Sequence, residues 1–162
     1  MQDASFGRLL DADLALQVHV GAAVAAVIFL PAILGRRKGD TLHKLLGYSW
    51  ALAMTVLAVS SFWLQGLQIV GPFSPIHLLS IYTLIQLTRA LFQARRRQID
   101  RHGSTMRQLA AYALGGAGVL AFLPDRLMNE MIFGGSWLGF IGVGVITLAV
   151  ILYAARRQKA MA

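Results

Sequence analysis

The four histidines are the residues whose type and spacing point most directly to chemistry. His19 and His77 each lie a few residues inside an apolar stretch, whereas His43 and His102 lie beside basic segments. A neutral imidazole ligates haem iron, copper or zinc, and a six-coordinate b-type haem needs two of them. The pattern therefore predicts two histidine pairs, His19 with His77 and His43 with His102.

The apolar stretches that carry these histidines are long enough to cross a membrane. The 162-residue chain is 57% hydrophobic and only 14% charged, whereas a soluble domain is about a quarter charged. A bilayer core of about 30 Å needs about 20 helical residues. The sequence predicts an all-α integral membrane protein, a single transmembrane domain over residues 1–162 with a four-helix core and a peripheral fifth helix. These five transmembrane helices are predicted at roughly 14–34, 42–64, 73–93, 106–123 and 133–154.

The basic residues decide the predicted orientation. With the N-terminus outside, 13 of the 15 Lys and Arg residues fall on the inner side, and only Arg8 and Arg126 fall outside. This partition is what the positive-inside rule requires. We therefore predict a bacterial inner-membrane protein with a cytoplasmic C-terminus and contacts with anionic inner-leaflet lipid. Because topology accounts for the net charge of +8, no nucleic-acid partner is expected.

Helix direction places the histidines in depth. The first and third predicted helices both run inward, so His19 and His77 lie at similar depth, about 6–8 Å below the outer boundary. His43 opens the second helix and His102 precedes the fourth, both at the inner face. Alternate helices of a four-helix bundle are usually diagonal, so that each pair can meet across the core. A histidine at a membrane edge that bonds a lipid headgroup is the structural alternative.

The start of the fourth helix decides the orientation of His102. A helix that begins at Ser104, a good N-cap, leaves His102 in the headgroup layer. A helix that runs back through Gly103 to about Ile99 turns His102 inward, at a cost of about 1 kcal/mol for the glycine.

Absent residue types exclude several kinds of site. Without cysteine there is no thiolate metal site, iron–sulfur cluster or cysteine nucleophile. No Asp or Glu falls inside a predicted span, which counts against proton-coupled transporters and cation channels. Met128 and Met131 on the outer side are soft ligands that suit copper, with an apolar lipid-facing turn as the alternative interpretation.

Two glycine-containing segments are interpreted as helix-packing surfaces. They are Gly115-Gly116-Ala117-Gly118 and the pair Gly135 and Gly139. Small residues at such spacing let two helix backbones approach closely within a membrane.

Several segments carry a pattern that extends over most of the chain. They are Gln17-Val18-His19, the basic segment 35–47, Phe73-Ser74-Pro75-Ile76-His77-Leu78-Leu79, and His102 with Met106. This pattern resembles a widespread bacterial family of predicted multi-spanning membrane proteins of unknown function that carry four histidines. The paired histidines on alternate helices are also similar to the ascorbate-reducible transmembrane cytochromes b, from which the chain departs by having five spans rather than six.

The resemblance to the cytochromes b implies two bis-histidine haems, one near each membrane face. On that basis His19 and His77 hold the outer haem, and His43 and His102 hold the inner one. The first functional hypothesis is thus b-type haem electron transfer linked to membrane quinone. The second is a copper or haem handling or assembly factor, with copper or zinc at His19 and His77. The third is a non-catalytic accessory subunit of a larger respiratory or photosynthetic membrane complex.

Overall fold

The computed structural model describes residues 7, 9–35, 37–64, 75–124 and 126–159, which form helices joined by short turns. These residues contain no β-strand, so the predicted all-helical class is confirmed. The helices are α1 (Leu14–Leu34), α2 (Thr41–Ser60), α3 (Pro75–Arg95), α4 (Ile99–Gln108), α5 (Gly115–Ala121), α6 (Leu127–Phe133) and α7 (Trp137–Lys159). The predicted connection between the second and third helices, residues 65–72, lies outside the described residues, as does Arg8.

The described residues group into two compact units, one over residues 13–87 and the other over 88–159 with the few described residues before Asp13. In the first unit, α1 packs against α2 through small side chains. Ala26 is fully buried, and the Trp50 ring N–H donates a 3.1 Å hydrogen bond to its carbonyl oxygen. The buried alanines of α2, among them Ala51 and Ala58, let the helix backbones approach closely.

Replacing Trp50 with phenylalanine tests this tie between α1 and α2. We expect the free energy of unfolding in detergent to fall by about 1 kcal/mol, since one buried hydrogen bond is lost while most of the ring volume stays. Trp63→Phe is the control, because the Trp63 side chain is 67% exposed. Equal losses for the two variants would contradict the assignment.

Helix α3 has an inverted distribution of polarity. Its buried face carries His77, Ser80, Thr83 and Gln93. Its exposed side chains include large apolar ones, namely Leu78, Ile81, Ile85 and Phe92. A soluble helix has the opposite arrangement. The exposed face of α3 is therefore suited to lipid, while the buried face lowers its mean hydropathy.

By length and composition, two helices among the described residues are candidate membrane spans, Leu14–Leu34 and Thr41–Trp63. Leu127–Phe133 and Trp137–Ala149 form a third if the bent pair counts as one span. Two to three spans are thus evident from these criteria, compared with the five that the sequence predicts.

The fourth helix begins at Ile99, seven residues earlier than predicted. Its backbone starts with a bond from His102 N to Gln98 O of 2.9 Å, and Asp100 in the first turn is favourable to the helix dipole. The helix continues without a break through a π-helical turn, Leu109–Leu114, into α5. The prediction of a helix that runs back through Gly103 to about Ile99 is therefore confirmed. Contacts with α3 and the position of Asp100 in the first turn outweigh the preference of Gly103-Ser104 for a helix that starts there.

The glycines of α5 bring it close to α7. A Cβ atom at Gly115 would lie 2.8 Å from Thr147 Cγ2, and one at Gly118 would lie 3.7 Å from Val143 Cγ1. The packing interpretation is confirmed for Gly115, where only glycine leaves room for Thr147.

Helices α6 and α7 meet at a corner of 103°, so the fifth predicted helix is preceded by a separate short one. Gly134 and Gly135 form the corner with φ of +62° and +80°, a region that favours glycine. The prediction that Gly135 packs between helices is therefore wrong, since Gly135 lies in the turn.

Asn129 holds this corner from inside. Its side chain is fully buried, and Nδ2 donates to Phe122 O at 2.8 Å and to Ser136 O at 3.2 Å. Gly139 lies so close to the ring of Phe133 that a Cβ atom at this position would overlap it. The end of α5, helix α6 and the start of α7 are thus fixed to one another within their unit.

Candidate functional site

His19 is held within the first unit by a serine. It lies on the second turn of α1, half-buried, with Nδ1 3.0 Å from Ser60 Oγ. The Ser60 hydroxyl donates its proton to Leu57 O at 3.1 Å. Because a hydroxyl has a single proton, we infer that Ser60 Oγ accepts from His19 Nδ1–H. A neutral His19 then carries its free lone pair on Nε2, the atom that would bind a metal.

His77 is held by packing. It lies on the first turn of α3, only 7% exposed, and its ring stacks on Phe62 with centroids 5.4 Å apart and planes at 14°. Three residues later, Ser80 Oγ lies 2.6 Å from Ser61 Oγ. This pair of hydroxyls ties α3 to the end of α2 beside the imidazole.

His19 and His77 therefore contact one segment, Ser60-Ser61-Phe62, where α2 passes into the 3₁₀ turn Ser61–Trp63. We call His19, His77 and this segment the outer cluster, after the membrane side that the sequence predicts for it. The sequence predicts the two histidines and misses the segment that positions them. The signal for it is the adjacent pair Ser60-Ser61 at the predicted depth of His19, since helical Ser hydroxyls buried in a membrane protein need partners.

The donor set of the outer cluster suits some cofactors better than others. Among the residues that the structure describes, no three His, Asp or Glu side chains come together as ligands for a metal ion. Protein zinc sites use three or four protein ligands, whereas a b-type haem needs only two imidazoles. Two histidines therefore match the number of protein ligands of a b-type haem, and haem binding at this place stays a prediction.

The methionines predicted as copper ligands, Met128 and Met131, are half-buried on α6. This helix belongs to the unit over 88–159, whereas His19 and His77 belong to the other. Their role as copper ligands stays a prediction.

His43 and His102, which the sequence predicts at the inner face, differ from each other in their surroundings. His102 Nδ1 lies 2.9 Å from Ala90 O, and since a carbonyl only accepts, Nδ1 carries the proton and Nε2 is the free nitrogen of the neutral ring. His43 Nδ1 is buried without a hydrogen-bond partner, and its backbone N–H donates to the Asp40 side chain at 2.6 Å. Pairing of His43 with His102 stays a prediction.

Comparison with known proteins gives a family without an assigned activity. Residues 16–155 match the family described as "Predicted membrane protein (DUF2306)". No curated protein and no solved structure matches the chain. The matched range contains all four histidines and runs from α1 into α7. The chain therefore belongs to the predicted membrane protein family DUF2306.

Proposed function

We propose that this protein holds a b-type haem between His19 and His77 and transfers electrons in the membrane, with quinone as the exchange partner. The observation that carries the proposal is the hydrogen bond of His19 Nδ1 with Ser60 Oγ, 3.0 Å long. Histidines that ligate metals characteristically donate their other ring N–H to an oxygen acceptor, which fixes the tautomer and the ring orientation. His19 has this arrangement within a membrane helix.

The surrounding residues support the same role. Phe62 stacks on the His77 ring and limits its rotation, and the low exposure of His77 keeps water away. A haem bound by two neutral imidazoles would supply a one-electron centre whose potential depends on burial and on hydrogen bonds to the ligands. Ser60 would therefore position His19 and tune its basicity.

We also propose the full topology of five spans, with the N-terminus outside and the C-terminus in the cytoplasm of a bacterial cell. The exposed apolar face of α3 supports this topology, because its Leu78 and Ile85 side chains are 73% and 61% exposed and are suited to contact lipid. A helix with such a face is stable when lipid covers it, although its buried polar residues keep its mean hydropathy low.

Reporter fusions test the topology. Fusions after Gly39, Gln98 and Lys159 are expected to report as cytoplasmic, because the basic segments lie on that side. Fusions after Asn129 and after Leu67, which lies outside the described residues, are expected to report as periplasmic. A cytoplasmic report after Asn129 would show that residues 99–121 do not cross the membrane.

The visible spectrum of the purified protein tests the function. The proposed electron-transfer protein is expected to show a Soret band and, after reduction, a sharp α band. A quinone analogue is expected to reoxidise the reduced haem. Bound copper or zinc in a colourless protein would instead favour the handling or assembly factor. A colourless, metal-free protein that co-purifies with a respiratory or photosynthetic complex would favour the accessory subunit. A content of two haems per chain would extend the proposal to His43 and His102.

A further inference from the structure

The turn between α3 and α4 has an arginine where glycine is usual. Arg97 has φ of +57°, and it is the only non-glycine residue with positive φ in the described part of the chain. Gln98 N donates to Gln93 O at 2.9 Å and Arg97 N to Ala94 O at 3.0 Å, the pattern of a glycine-terminated helix end. A left-handed conformation costs a non-glycine residue about 1–2 kcal/mol. The arginine charge at this position is therefore present despite backbone strain.

Side-chain bonds hold α4 against the end of α3. Thr105 Oγ1 donates to Gln93 Oε1 at 2.9 Å, with both side chains buried. One turn nearer the start of α4, His102 Nδ1 bonds Ala90 O at 2.9 Å. These two bonds hold the start of α4 against the end of α3, and we call this part of the chain the α3–α4 support.

Arg107 lies on α4, and its guanidinium has a hydrogen-bond donor without a partner. Its Nε atom is buried and has no hydrogen-bond partner. Its Nη1 atom passes 3.4 Å from the position that a Cβ atom of Gly103 would occupy. Gly103 is four residues earlier, so the guanidinium is directed back by about 6 Å towards the start of α4. The guanidinium therefore lies beside Gly103, in a path that a side chain larger than alanine at this position would fill.

The neighbouring charges favour an anion at this place. Residues 88–108 contain six arginines and a single acidic residue, Asp100. Arg96 and Arg97 are exposed at the turn. A planar guanidinium suits phosphate oxygens in a two-point hydrogen bond, and basic sites of this kind beside membrane helices recognise anionic headgroups.

We propose that Arg107 binds the phosphate of an anionic phospholipid headgroup at a specific site beside the α3–α4 turn, with Arg96 and Arg97 supplying the favourable potential. Gly103 acts in this site as a positioning residue, since it sets the path of the guanidinium. The proposal goes beyond the haem hypothesis and does not depend on it, because none of these residues belongs to the outer cluster.

Lipid titration tests the site. Delipidated full-length protein in zwitterionic detergent is titrated with phosphatidylglycerol or phosphatidylcholine, and lipid binding is measured by native mass spectrometry. We expect phosphatidylglycerol to bind about tenfold more tightly than phosphatidylcholine, because one charge-assisted hydrogen-bonded contact contributes about this much to affinity. Arg107→Gln is expected to abolish this preference. Arg101→Gln, which removes an equal charge from an exposed position on the same helix, is expected to retain most of it.

Two further variants separate binding from folding. Gly103→Leu is expected to abolish the preference while the protein stays folded, because leucine favours a helix and fills the guanidinium path. Gly103→Ala is expected to retain the preference, since a Cβ atom at 3.4 Å is close to an ordinary contact. Equal binding of the two lipids by the wild type would overturn the proposal, as would an unchanged preference in Arg107→Gln. Displacement of phosphatidylglycerol by inorganic phosphate at comparable concentration would overturn the assignment to lipid.

Discussion

Replacing His19 or His77 with alanine is expected to remove the reduced-minus-oxidised spectrum of the proposed haem, and each single variant should lose as much as the double variant. Two ligands of one iron act as a unit, so their effects on haem content are strongly non-additive. The contacts of both rings with the segment Ser60-Ser61-Phe62 motivate the expectation. The measurement is haem content per chain by pyridine haemochrome, with circular dichroism to verify that the variants stay helical.

Ser60→Ala is the matched control for this pair. It keeps both imidazoles and removes the hydroxyl that lies 3.0 Å from His19 Nδ1, so haem affinity should fall by about 10–100-fold without being abolished. A midpoint potential that shifts in this variant is a readout that a purely structural serine would not produce. Independent, partial losses in His19→Ala and His77→Ala would show that the two histidines serve different sites.

Asn129→Asp is expected to cause the largest loss of stability, because it places a carboxylate where an amide donates to two carbonyl oxygens. Asn129→Ala should cost about 3 kcal/mol in the free energy of unfolding, since Phe122 O and Ser136 O both lose a buried donor. The aspartate should cost more, as a charge without a partner is buried as well. Unfolding in detergent, monitored by circular dichroism, gives both values.

Ile132→Ala provides the comparison for the Asn129 variants. Ile132 lies on the same short helix but is 57% exposed, so its truncation should change stability by less than about 0.5 kcal/mol. A loss of similar size in Ile132→Ala and Asn129→Ala would show that the corner is held by apolar packing and not by the amide.

The bounds of a helix were predictable from the sequence where hydropathy and length alone determine them. The uncharged run that ends at Gly35 predicts α1 to the residue, because a membrane helix needs only length and hydropathy. The fourth helix was harder, since Gly103 and Ser104 favour a helix start locally. The hydrogen bonds of His102 and Thr105 with α3 reverse that preference, and such contacts are not evident in a single sequence.

The outer cluster was predictable only in part for a similar reason. Depth along two helices of the same direction places His19 and His77 at one level, which requires only the rise per residue. The role of Ser60 depends on the rotation of α2 about its axis. The composition of α2 constrains that rotation weakly, since both its buried and its exposed positions are apolar.

The inverted polarity of α3 has a consequence for biosynthesis. During insertion, each segment partitions between the translocon and lipid according to its hydrophobicity, and polar residues oppose entry. In the proposed five-span topology, a segment with His77, Ser80 and Thr83 on one face would enter lipid poorly alone and better as a hairpin with α2, because Ser61, which follows α2, bonds Ser80. The nascent chain would then need α2 in place before α3 enters lipid. A defect in Ser61 should appear first as failed insertion of α3, before any effect on the folded protein.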